Sequence, residues 1–234
     1  TQSRSSAASD VYKRQRQDLS AALIKRLSMF VLRAKAKLAP APLHVAGVQA
    51  DDAQAAALEA AAGALPRSAW QRADLPSGTW IAAPSADATL RWWWIASDEQ
   101  LAAAAPLAAT LGQAPAAQWH AADLAAGIPW ITTATQDVFI PQTVNLDLIQ
   151  GVSFTKGCYP GQEVVARSHY RGTVKRRMAY GTIADAGVAG GALAGTDVFD
   201  ATQPGEPIGR VVDAAATQGG AVSYTHLTLP TIYS

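Results

Sequence analysis

The stretch Gly78–Gly112, GTWIAAPSADATLRWWWIASDEQLAAAAPLAATLG, changes its period half-way along. GTWIAAP and ATLRWWWIA are short, rich in Trp, Ile and Thr, and joined by a Ser-Ala-Asp turn, the marks of two strands. SDEQLAAAAPLAATLG is Ala- and Leu-rich, with Ser97 placed to cap a helix and Pro106 placed to bend or interrupt it. In a strand, successive side chains point to opposite faces, so Trp93 must oppose Trp92 and Trp94. At least one of the three is therefore expected in a core, with the other face packed on a second layer or on a ligand. Strand pairs alternating with helices imply an α+β layer.

Working outward, the same alternation continues. DDAQAAALEAAAGAL predicts a helix capped by Asp51 or Asp52 and ended near Gly63. Before it, APAPLHVAGVQA reads as a strand after the breakers Pro40 and Pro42. Asp18–Lys35 carries Leu19, Leu23, Leu27, Phe30 and Val31 at helical spacing, with Asp18 as cap. On the other side, AQWHAADLAAGIPW predicts a short helix holding Trp119. That indole either fills the core or stacks on a flat heterocycle. His44, His120 and His169 have no partner at metal-ligand spacing and are read as structural or exposed.

After Gly172 short extended runs, TVKRRMAYGTI, TDVFDAT and PIGRVVDAA, are separated by Gly and Pro, which predicts a small antiparallel sheet or barrel. The expected organisation is an α+β region over 16–172 and a C-terminal β-barrel over 173–220. The two ends, 1–15 and 221–234, differ in composition from the interior. They read as translated adaptor sequence and are set outside the fold argument.

The chain has 234 residues, 49% hydrophobic and 16% charged, and a net charge of +1. That is a globular composition with no global pull toward nucleic acid, and no run is long enough to span a membrane. One cysteine excludes an internal disulfide and suits a reducing cytoplasm; a Cys-cluster zinc or iron–sulfur site held by this chain alone is excluded too.

That cysteine is Cys158, in FTKGCYPGQEVVARSHYRGTVKRR (Phe154–Arg177). Pro160 suits the first turn of a helix reaching about Tyr170 and closed by Gly172. Cys158 then sits just before a helix N-terminus with Lys156 two residues upstream. Both features favour the thiolate. Gly157 and Gly161 leave room for a close approach. The alternative is a small buried residue in a tight turn. Arg167, Arg171, Lys175, Arg176 and Arg177 form either a patch for phosphates, polyglutamate tails or RNA, or a solvated face. Lys175, Arg176 and Arg177 are read as carriers of charge, so their joint replacement by Ala is expected to leave the fold intact.

Phe139–Met178, FIPQTVNLDLIQGVSFTKGCYPGQEVVARSHYRGTVKRRM, closely resembles the signature region of the YgfZ folate-binding family, whose hallmark K-G-C-Y-x-G-Q-E is matched from Lys156 to Glu163. The segments KRLSMFVLRAKAKL, AQWHAADLAAGIPWI and GEPIGRVVDAA also look like parts of that family, and the resemblance spans about 18–215. The resemblance implies a GcvT-like fold of three subdomains around an opening that accepts tetrahydrofolate, related to the glycine-cleavage aminomethyltransferase. It implies an accessory role in maintaining iron–sulfur enzymes, including tRNA-thiolating ones, as partners. Cys158 would be the functional thiol, with Lys156 beside it. Trp119, Tyr159, Gln162, Glu163 and Arg167 would contact the folate. Two other readings stand beside it: an aminomethyltransferase enzyme and a tRNA-binding module.

Overall fold

The structure, a computed structural model, describes residues 17–31, 36–154, 161–170, 172, 174, 176–183, 193–217 and 220–228. The chain divides into two compact units, Thr1–Pro115 and Ala116–Ser234.

The first unit is a four-stranded antiparallel sheet with helices. Helix α1 (Gln17–Ser28) precedes strand β1 (His44–Ala50), helix α2 (Asp52–Ala62), and strands β2 (Arg72–Leu75), β3 (Gly78–Ala83) and β4 (Leu90–Ala96); the short helices α3 (Asp98–Ala103) and α4 (Ala105–Ala108) follow. The sheet order is β1-β4-β3-β2. The register pairs Trp80 with Trp94, and Trp92 with both Ala82 and Val48, so these side chains share one face. That face forms the core with Ala55, Leu58 and Ala62 of α2 and with Leu107. The Trp80 and Trp94 rings stack with centroids 5.1 Å apart. Each buried indole on this face also places its donor. Trp92 Nε1 donates to the Pro66 carbonyl at 2.7 Å, Trp94 Nε1 to the Ser77 carbonyl at 2.7 Å, and Trp80 Nε1 to Ser77 Oγ at 3.0 Å.

Trp93 points the other way, as expected, and is buried as well, stacked on Trp70 with centroids 5.5 Å apart. All three tryptophans of the triplet are thus buried, which the alternation by itself required of only one. Strand β2 was not read from the sequence. Its turn into β3 rests on Gly78, whose φ is +127° and where a Cβ would lie 2.5 Å from the Ile95 carbonyl oxygen.

Two of the three foreseen caps are present; Asp18 is not a cap, because α1 already begins at Gln17 and Asp18 lies in its first turn. Asp51 accepts from the Gln54 N–H at 2.8 Å while the Gln54 side chain accepts from the Asp51 N–H, and α2 stops at Gly63. Ser97 and Gln100 make the same box on α3. Replacing Asp51 by Ala is expected to cost about 1 kcal/mol, measured as a shift of the urea midpoint. Pro106 does interrupt the helix: α3 ends before Ala104, and Pro106 lies in the first turn of α4. Helix α1 is shorter than the periodic pattern suggested and ends at Ser28.

The second unit contains helix α5 (Ala116–Ala125), a 3-10 helix at Pro141–Val144, helix α6 (Gln162–Tyr170), and strands β5 (Arg176–Ile183), β6 (Asp197–Asp200), β7 (Gln203–Thr217) and β8 (Gly220–Thr228). The strands form one curled antiparallel sheet in the order β5-β8-β7-β6, with register irregularities in β6–β7 and β7–β8. Its core joins Leu124 of α5 and Val144 to Met178, Val212, Ala215 and Val222. The overall class is α+β, with a curled antiparallel sheet in the C-terminal region.

Two features differ from the sequence reading. The segment 221–228, set aside there, forms an inner strand that pairs with β5 on one side and β7 on the other. Its Val222 and Thr225 supply β-branched content that suits a strand, and Val222 is buried. The compact units also divide at Pro115/Ala116, whereas the change of texture in the sequence lies at Gly172–Thr173. Helix α5 packs on β7, which groups 116–172 with the C-terminal sheet.

Candidate functional site

The part of the signature that the structure describes surrounds residues 155–160. Lys156, Cys158 and Tyr159 fall in that segment and lie outside the described residues. What can be built is the frame that holds its two ends.

The frame starts at the 3-10 helix. Pro141 opens it, and Asn145 ends it with φ 57°, in the left-handed region that Asn tolerates. Gln142, 1% exposed, turns inward and its Nε2 donates to the Val165 carbonyl at 2.6 Å, tying this turn to α6. Asn145 Nδ2 donates to the Met178 carbonyl at 3.0 Å, tying it to β5. Arg177 closes the frame. Its Nη1 and Nη2 donate to the two oxygens of Asp147 at 2.9 and 3.0 Å, and Nη1 also reaches the Gln142 carbonyl at 3.1 Å and Asn145 Oδ1 at 3.3 Å. The hydrogen bond to Asp147 raises the guanidinium pKa above its ordinary value, opposed in part by burial. Arg177 is therefore a structural cross-link. This corrects the reading of Lys175, Arg176 and Arg177 as interchangeable charges: of the two described, only Arg176 is an exposed residue. Lys175 lies outside the described residues.

Helix α6 begins at Gln162, after Gly161 with φ +83°, and buries Val165. Gln162 is half-buried, while Glu163 and Arg167 are exposed. Glu163 and Arg167 are four residues apart and so lie on one side of the helix. At its far end, the His169 ring stacks on Phe154 with centroids 3.7 Å apart and planes 15° apart. Phe154 immediately precedes the 155–160 segment, so this stack fixes one end of it to the helix that begins at the other.

Trp119 stands on a different element, α5, and is half-buried. Its neighbour His120 pairs with Asp213 of β7, Nε2 to Oδ2 at 2.7 Å. Asp213 is 1% exposed, and its other oxygen accepts from the Ala214 N–H. Asp123, one turn on from His120, accepts from Trp130 Nε1 at 2.9 Å and is also buried. His120 is structural, as read. The two buried carboxylates were not singled out, although an Asp inside the apolar run RVVDAA is a signal that could have found Asp213. His44 pairs with Asp98 at 2.7 Å on the surface.

Cavities among the described residues include the following two. One, of about 190 Å³, lies in the first unit beside Arg67, Arg91 and Trp92. The other, of about 340 Å³, lies in the second unit and is lined by Phe139, Arg176, Asp197, Glu206, Pro207 and Arg210, among others. Neither is lined by Trp119, Gln162, Glu163 or Arg167. No group of three metal-ligating side chains occurs among the described residues, and none of their helices is long and apolar enough to cross a membrane.

The chain is 52% identical over 73 residues to the tRNA-modifying protein YgfZ of Edwardsiella ictaluri, a match covering 31% of this chain and 22% of that protein. It is 54% identical over 61 residues to the tRNA-modifying protein YgfZ of Yersinia pestis and to that of Yersinia pseudotuberculosis, covering 26% of this chain and 18% of each relative. The chain is a homologue of YgfZ proteins over this part of its length. The matches span about a fifth of the length of these YgfZ relatives. No family model matches the chain.

Proposed function

We propose that the chain acts in tRNA modification as part of a YgfZ-type accessory protein. The observation that carries this reading is the identity above 50% to proteins named for that role. In the finer form of the proposal, the protein has the GcvT-like arrangement, binds tetrahydrofolate and supports iron–sulfur enzymes, with Cys158 as its functional thiol.

The side chains available fit a folate by their chemistry. Arg167 is exposed and offers a planar fork for the carboxylates of the glutamyl tail. Glu163 offers an acceptor for the N–H edge of a pterin, Gln162 both a donor and an acceptor, and Trp119 a ring face. Tyr159 would add a second aromatic contact. A bound folate supplies a one-carbon carrier. The protein's part is to hold it and to present a thiol near it. Lys156 beside Cys158 favours the thiolate, the form that ligates metal or exchanges with another thiol. One thiol cannot hold a cluster by itself, so its partner must be a client's cluster or thiol.

Cells lacking the native YgfZ protein test this reading through their content of thiolated tRNA. The chain is expected to restore it, and the Cys158→Ser variant, nearly equal in volume, is expected to fold and yet not restore it. Separately, Trp119→Ala is expected to weaken binding of a tetrahydrofolate analogue by about 1–3 kcal/mol, read from quenching of indole fluorescence. Full restoration by the serine variant would remove the thiol from the mechanism. An unchanged affinity in the tryptophan variant would return Trp119 to the core.

A further inference from the structure

The C-terminal end of α6 carries an aromatic cluster that the proposed folate and thiol chemistry leaves unused. Phe154 and His169 stack face to face, 3.7 Å between centroids. Tyr170 stands edge-on to both, 6.3 Å from Phe154 with planes at 72° and 4.7 Å from His169 with planes at 81°. Rings that gather only to fill a local core end up covered. Here Tyr170 is 69% exposed and His169 is exposed too. Exposed rings gathered at one place make a surface on which a flat ligand can stack.

The surroundings select what that is. Arg167 lies three residues before Tyr170, on the same side of the helix, and is exposed. The one acid of α6 is Glu163, at the opposite end of the helix. An aromatic face with an exposed arginine beside it suits a ligand that is flat and anionic at once. It is a poor match for an apolar protein groove or a lipid surface, which would require a continuous aliphatic stripe. A nucleic-acid strand with unpaired bases has both properties: a π-face on each base and a phosphate beside it. A duplex hides its base faces and offers only phosphates.

We propose that Phe154, His169 and Tyr170 form a stacking platform for an unpaired RNA base, with Arg167 holding the adjacent phosphate. The source of the RNA, a tRNA, rests on the function proposed above; the ring geometry stands apart from it.

The test is fluorescence anisotropy of a labelled single-stranded RNA of about a dozen nucleotides, with the matching duplex as comparison, on the intact chain. The single strand is expected to bind more tightly than the duplex. Tyr170→Phe is expected to keep the affinity. Tyr170→Leu retains apolar bulk and helix propensity without a π-face, and is expected to weaken it by roughly five- to a hundredfold, as is Tyr170→Ala. Arg167→Gln is expected to flatten the salt dependence by about one phosphate contact. Equal binding of strand and duplex, or an unchanged affinity in Tyr170→Leu, overturns the platform. The thiolated-tRNA assay separates the two ideas. Tight strand binding without restored thiolation leaves the platform standing and removes the function. Restored thiolation with an indifferent Tyr170 does the reverse.

Discussion

Replacement of Trp92 by Ala is expected to destabilise the first unit by about 3–5 kcal/mol, the range for a large aromatic removed from a packed core. The indole is fully buried, between Val48 on one neighbouring strand and Ala82 on the other. Neither neighbour can fill the space: one is a β-branched side chain fixed in its strand and the other is a methyl group. The substitution also strips the Pro66 carbonyl of the N–H it accepts at 2.7 Å. Domains of this size are stable by about 5–15 kcal/mol, so the variant stands near the limit of folding. Urea denaturation followed by near-ultraviolet circular dichroism measures it. Trp92→Phe, which keeps most of the volume and loses the donor, is expected to recover more than half of the loss. A midpoint within about 1 kcal/mol of the parent for Trp92→Ala would mean that the register around β4 is different.

Arg177→Ala is expected to cost the second unit about 2–4 kcal/mol, less than a fully buried pair because both groups keep some contact with water. The loss has two parts. Asp147, with its side chain 13% exposed, is left with an unanswered carboxylate, and the Gln142 carbonyl and Asn145 Oδ1 each lose a donor. Arg177→Lys is expected to restore a minority of this, because an ammonium cannot make the two parallel bonds to Asp147 and also reach the turn at 142–145. Arg176→Ala, one residue away on the exposed side, is expected to stay within about 0.5 kcal/mol. The pair of measurements separates the structural arginine from its neighbour. If both variants are neutral, the frame around 155–160 is held by Gln142 and Asn145 without it. If Arg177→Ala is costly, the joint replacement of Lys175, Arg176 and Arg177 unfolds the C-terminal sheet, and loss of RNA binding in that triple variant would carry no information on charge.

Phe154 and Gly161 bound the segment that carries Lys156, Cys158 and Tyr159, and the stack of Phe154 on His169 ties both ends to one helix.

The sequence alone determined what depends on neighbours along the chain. Asp51 with Gln54, Ser97 with Gln100, Gly63 and Pro106 act within a single turn, so the starts, the stop and the break of α2, α3 and α4 could be read before any packing was known. The opposed orientation of Trp93 and Trp92 follows from the pleat of one strand in the same way. The hallmark around Cys158 was legible for a different reason, since a thiol and its neighbouring lysine and glycines lie within a few residues. What only the tertiary structure decided depends on residues far apart. The burial of all three tryptophans needs Trp70 to lie on the second face of the sheet. Arg177 becomes a cross-link, while Arg176 stays exposed, because Asp147, thirty residues upstream, is brought against β5. His120 meets Asp213 across ninety-three residues. The inner place of β8 in its sheet was hidden as well: composition marked 221–228 as foreign, while strand pairing responds to backbone hydrogen bonds, which that segment makes with both β5 and β7 whatever its origin.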